Sequence, residues 1–279
     1  MFAFAERSLT GLAILTFVGA SGCAGAEAEN PFGADDFAVY LETQEPGDPD
    51  PRPPGSNNGF SVDCFWHPSV QSAYRDLSQQ ALHNDAEGNL PEDGVADLSA
   101  VSSACRGQAL KYLAVCALPE GTSMTDPDTG ITYAGWLGLA NQWRTSSLSS
   151  NNQWWVTSCL LAHLNGYGIV MPILLQGDRA ELQPTSAQIE AFPVSESRAW
   201  GNLFAPNFVA NVCYFSDVAD TCDAEQLLDE RICGTNPSCN LNVVGNCDSA
   251  CSHDPLGGVL QCGSSGSKHI TRREEGYDL

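Results

Sequence analysis

The chain has 279 residues, 34 acidic against 12 basic side chains, a net charge of −22 and twelve cysteines. That length can bury one or two cores. A surface this acidic repels phosphate backbones and excludes nucleic acid as a partner, and the cysteine count points to an oxidising compartment in which thiols pair.

Arg7 precedes an apolar run over 12–18, and Ala20-Ser21-Gly22-Cys23 follows. A charged start, a short apolar stretch and small residues are the parts of a secretory signal over 1–22. The run is too short to cross a bilayer as a stop-transfer helix. The small-small-Cys ending resembles the bacterial lipobox. That resemblance implies cleavage before Cys23, a lipid thioether on its sulfur, attachment to the membrane through that lipid and, with Ala24 next, export to the outer membrane. The alternative is an ordinary signal that leaves Cys23 a thiol. Residues 23–59 are acidic and carry a proline-rich stretch over 45–55. They read as an extended tether, because they lack the apolar surface to offset ordering.

An α+β core domain is expected over 60–212. Pro68 suits a first helical turn, and Val70, Ala73, Tyr74, Leu77 and Ala81 recur at helical spacing. A polar loop follows over 84–94. A second helix is expected over 97–116, with Leu98, Val101, Cys105, Ala109, Tyr112 and Cys116 on its apolar face. Three turns separate Cys105 from Cys116 by about 16 Å. A disulfide needs Cα atoms within about 7 Å, so these two should pair with Cys64 and Cys159, in either order. Segments 122–125 and 131–134 flank Asp126-Pro127-Asp128-Thr129-Gly130, which is hairpin turn chemistry. Its Asp-x-Asp-x-Gly spacing is shared with calcium loops, but the later ligands are missing, and a plain turn is the reading we take.

A third helix, capped by Asn151 or Asn152, should run to Gly166 with Trp155, Val156, Cys159, Leu160 and Leu164 on one face. Strands are expected over 169–175, where Pro172 demands an edge or a bulge, and over 187–194. From Cys213 the texture changes. Cys213, Cys222, Cys233, Cys239, Cys247, Cys251 and Cys262 fall among Gly, Asn, Asp and Ser. This 213–263 module has too few apolar residues for its own core, so cross-links must hold it. The tail, 264–279, is polar and expected to be disordered. With Cys23 lipidated, eleven cysteines remain. One of them stays unpaired within the chain, and we place it in the module.

Cys116-Ala117-Leu118-Pro119, the 135–140 segment Gly-Trp-Leu-Gly-Leu-Ala, the 155–165 helix with Cys159 and His163, Trp200-Gly201-Asn202-Leu203-Phe204 and the closing cysteines together resemble a group of cysteine-rich bacterial lipoproteins of unknown activity. The resemblance covers most of the chain from Phe60. It implies location and architecture, and brings no activity, cofactor or catalytic residue.

Several constellations could carry chemistry. Cys159 and His163, four apart on one helix, could form an activated nucleophile or a pair of metal ligands; we read Cys159 first as a disulfide partner and His163 as a buried, bonded imidazole. Cys64-x-x-His67 and Cys247-x-x-x-Cys251-x-His253 have metal-ligand spacing, which disulfides would override outside the cytosol. His83 and His269 look solvated. Trp143 and Trp154 are the candidates for exposed indoles that could stack on a sugar, whereas Trp155 faces the core. Asp178, Glu190 and Glu196 could supply a glycosidase-like carboxylate pair. No hydrolase, metalloprotease or phosphate-loop motif is present. The expectation is a lipid-anchored binding or structural protein of the bacterial envelope without a cofactor, its partner an envelope protein or a glycan. An exported hydrolase acting on glycan or peptide is the alternative, and an extracytoplasmic metal-binding protein the third reading.

Overall fold

Pro68 opens the first long helix, where its fixed φ and missing N–H cost nothing. It does so within a computed structural model that describes residues 57–167, 170–216, 221–253, 259–263 and 267–274, and leaves aside the side chains of 221–223, 253 and 259–260. The signal, Cys23 and nearly all of the tether lie outside the described residues. The elements are β1 (Phe60–Ser61), α1 (Val62–Phe65), α2 (Pro68–Ser78), α3 (Glu92–Val95), α4 (Ser103–Ala117), β2 (Ser123–Thr125), β3 (Thr132–Ala134), α5 (Ser150–Ala162), β4 (Leu164–Asn165), β5 (Leu174–Gln176), α6 (Ser186–Ala191), β6 (Val194–Trp200), β7 (Ala210–Tyr214), α7 (Thr221–Cys233), β8 (Leu241–Asn246), α8 (Cys247–Ala250), β9 (Cys251–His253), β10 (Val259–Cys262) and β11 (Ile270–Glu274). The fold is α+β.

The expected apolar stripe of α2 is buried through Val70, Ala73, Tyr74 and Leu77. The helix expected over 97–116 is broken. Residues 96–100 form a 3-10 turn, Val101 is extended, and α4 starts only at Ser103, because the Ser102 hydroxyl accepts from the Cys105 N–H and caps it there. Helix α5 is capped by Ser149, not by Asn151 or Asn152. From Trp155 to Ala162 every residue of α5 is buried, so the helix is enclosed on all sides. It lies between α4 and the strands β6 and β11. Its polar positions are satisfied: Thr157 accepts from the Leu203 N–H at 3.1 Å, and the Ser158 hydroxyl donates to the Lys268 carbonyl.

The main sheet has five strands in the order β5-β11-β6-β7-β8. All neighbours are antiparallel except β7 and β8. That parallel pair needs a crossover, and α7 supplies it. The sheet revises three expectations. The segment 187–194 is mainly helical, as α6, and its strand character begins at Val194. The tail is ordered over 270–274, where β11 lies inside the sheet between β5 and β6. Strand β7 crosses the 212/213 boundary, so the cysteine-rich segment shares the sheet with the core domain.

Candidate functional site

Packing of α4 on α5 places Cys116 against Cys159, and the two are bonded with their Cα atoms 5.9 Å apart. Both are fully buried, as is His163. His163 ends α5, its N–H bonded to the Cys159 and Leu160 carbonyls at 3.2 Å. Its ring lies 5.1 Å from the Tyr112 ring and hydrogen-bonds the Asn57 backbone. Burial, and then the charges of Arg272 and Lys111, push its pKa down to about 3. The sulfur and imidazole atoms do approach one another within 4.8 Å. However, a disulfide offers no thiolate to attack a substrate or hold a metal, and an imidazole this weakly basic takes no proton near neutrality.

The other candidate ligands are dispersed in the same way. Cys64 is bonded to Cys105, while the Nδ1 of His67 accepts from the Ser69 N–H and caps α2. Cys247 is bonded to Cys213 and Cys251 to Cys262, and the His253 side chain lies outside the described residues. Cys233 pairs with Cys239. Among the described residues no cysteine is free; the Cys222 side chain lies outside them. The Sγ of Cys213 is 3.8 Å from that of Cys251. Two disulfides therefore stack, and Trp200 and the half-buried Trp154 pack against them. This small sulfur-rich cluster takes the place of an apolar core in the module.

Trp143 is not exposed. It is fully buried, and its indole N–H reaches the carbonyls of Leu77 and Gln80, both at 3.1 Å. Trp136, at 43% exposure, is the most exposed indole. His269 is buried rather than solvated.

The carboxylates do not assemble a glycosidase pair. Asp178 and Glu190 are exposed, whereas Glu196 is buried. One oxygen of Glu196 meets the Nε of Arg231 at 2.8 Å and the other the Nε of Arg272 at 3.2 Å. Arg272 also pairs with Glu274. The two guanidinium groups then reach carbonyls at and just beyond the end of α5: Arg231 contacts those of Leu161 and of Leu164 in β4, and Arg272 those of Ala162 and Leu164. Two buried cations cap the negative end of an enclosed helix, and two carboxylates balance them. Burial opposes ionisation of Glu196, but Arg231 and Arg272 together outweigh it and hold the carboxyl below its usual range. A carboxylate held this way is neither a proton donor nor a nucleophile.

In the hairpin, Arg106 fills the position a cation would need. Its Nε and Nη2 donate to the two oxygens of buried Asp126, each at 2.6 Å, and Nη2 also reaches Asp128 at 2.7 Å. Asp126 further accepts from the Thr129 hydroxyl and the Asp128 N–H. The turn is a plain turn with an internal guanidinium anchor.

Concavities among the described residues include the following two. One is a groove of about 370 Å³ beside the Cys64–Cys105 disulfide. The other, about 210 Å³, lies between the 83–88 loop, β2 and Arg144. Sequence reasoning missed the second. Its members come from three distant segments, and the one available signal was the pair of glycines, Gly88 and Gly121, that bend two of them. No protein-family model, no curated protein and no solved structure matches the chain.

Proposed function

We propose that the chain is a lipid-anchored binding or structural protein of the bacterial envelope, stapled by disulfides for life outside the cytoplasm. The observation that carries this reading is the pairing of ten cysteines into five disulfides on a chain whose start has the parts of an export signal. Cross-links of this density persist where thiols are not kept reduced. The enzyme alternative loses support, since the Cys159 sulfur is bonded and Glu196 is neutralised by arginines.

The test is chemical. Ten cysteines are in bonds, so Cys23 and Cys222 are the two left to account for. With Cys23 carrying lipid, alkylation of the denatured, unreduced protein should label one site, Cys222. Mass analysis should find a lipid-modified Cys23 at the mature N-terminus, and Cys23→Ala should release the protein from membranes. A disulfide between Cys23 and Cys222, or an unmodified N-terminus elsewhere, would sink the lipid-anchor reading.

A further inference from the structure

The pocket of about 210 Å³ beside Arg144 is built from backbone that is held in place. The Leu82 N–H bonds the Trp143 carbonyl at 2.8 Å and the His83 N–H bonds the Arg144 carbonyl at 3.1 Å, which sets the His83 and Arg144 side chains beside each other. The opposite wall is the 85–89 loop. Asp85 ties it internally by accepting from the N–H groups of Glu87 and Asn89 and from the Asn89 amide. The Gly88 carbonyl then accepts from the Thr125 N–H of β2 at 2.9 Å. Gly88 has a φ of +80° and packs in ordinary contact with the His83 ring. A side chain there would be strained by that backbone conformation.

The chemistry of the lining is asymmetric. Arg144 has no ion-pair partner among the described residues, and its buried Nε–H meets no acceptor. In a chain with 34 acidic side chains, an unpaired guanidinium lining a cavity needs an explanation, and a missing ligand supplies one. The other groups accept. The Nε2 of His83 faces the Ser123 carbonyl at 2.9 Å and must donate to it, which leaves Nδ1 as a lone-pair acceptor. The exposed carboxylate of Glu87 accepts at the rim. The Thr122 hydroxyl donates to the Pro119 carbonyl and likewise keeps its lone pairs.

We propose that this pocket binds a small carboxylate that carries hydrogen-bond donors beside its carboxyl group: a hydroxy acid, a uronic acid or an amino acid. The carboxylate lies on the Arg144 guanidinium, whose planar fork matches it. The neighbouring hydroxyl or ammonium donates to His83 Nδ1 and Glu87. The volume suits a single small residue or sugar and is too small for a chain of them. This inference rests on the reading of the chain as a binding protein and names the ligand chemistry of one site on it.

Calorimetric titration of the full mature chain in detergent with glucuronate, alanine and acetate tests it. Glucuronate or alanine should bind at least about tenfold more tightly than acetate, and whichever of the two wins identifies the source as sugar acid or amino acid. Arg144→Met should weaken that probe by about tenfold to a hundredfold, as loss of a charged hydrogen-bonded contact does. Glu87→Gln, at an exposed position where folding is not at stake, should weaken the winning probe and leave acetate unchanged. Arg75→Met, outside the pocket, should change neither. The proposal is overturned if none of the probes binds the wild-type chain, if binding survives Arg144→Met, or if Glu87→Gln weakens acetate equally. The lipid state of Cys23 is read separately by mass, so failure here is distinguishable from failure of the anchor.

Discussion

Glu196→Gln is expected to destabilise the fold by about 3–5 kcal/mol, the cost of leaving buried charge without its partner. Glu196 is 8% exposed, and Arg231 and Arg272 are 2% exposed each. The substitution keeps shape and most hydrogen-bonding capacity but removes the charge that both arginines share. Glu274 alone would then face two buried guanidinium groups, one of which already has its pKa lowered to about 10, mainly by burial. The damage should spread, because Arg231 comes from α7, Arg272 from β11 and their carbonyl acceptors from the last turn of α5 and from β4. Urea unfolding should show a large drop in midpoint with little change in slope. A triple change of Glu196, Arg231 and Arg272 to apolar residues of similar volume should cost less than the single one, since it removes the charges together. A Glu196→Gln loss below about 1 kcal/mol would show that water already screens this cluster.

This cluster also marks where the sequence stopped being readable. The stripe of α2, the hairpin around residues 126–130, and the pairing of Cys105 and Cys116 with Cys64 and Cys159 all follow from spacing and chain geometry, which are local. Of the two possible orders, the structure has Cys64 with Cys105 and Cys116 with Cys159. Strand β11 is different. Thr271-Arg272-Arg273-Glu274 reads as a solvated tail because its charges are balanced by residues some seventy positions away or on another element, which no periodicity reveals. Helix α6 was legible in principle: Thr185 and Gln188 form a capping box, a signal that the expectation of a strand over 187–194 does not use. Trp143 shows the limit of helical-face arguments. It lies on a 3-10 turn outside any long helix, and its burial depends on carbonyls of α2 and the loop after it. The Arg144 pocket was illegible for the same reason, as its walls meet only through backbone bonds between distant segments.

Acidification is expected to remove roughly 5 kcal/mol of stability between pH 7.5 and 4.5, before most carboxylates are protonated. Two buried histidines carry this. Burial is the main cause that lowers the His163 pKa to about 3 and the His269 pKa to about 4. In the unfolded chain both titrate near 6.5. Below about pH 6.5 the unfolded state therefore binds protons that the folded state refuses, and each histidine costs about 1.4 kcal/mol per pH unit until its folded pKa is reached. The contribution is thus fully present above about pH 6.5 and is lost as pH falls. Glu196, whose folded pKa is depressed, acts in the same direction, but only once pH falls below the ordinary glutamate range near 4.3, so the windows separate. Since domains of this kind hold about 5–15 kcal/mol in reserve, unfolding should set in near pH 4 to 5. Urea midpoints measured at half-unit steps should fall steeply from pH 6.5, with about two protons taken up on unfolding in that range. His163→Gln should lower stability at pH 7.5 and halve the slope. A midpoint that stays level from pH 7 to 5 in the wild type would mean that these imidazoles are protonated in the folded state, and that the interior around α5 is far wetter than its packing indicates.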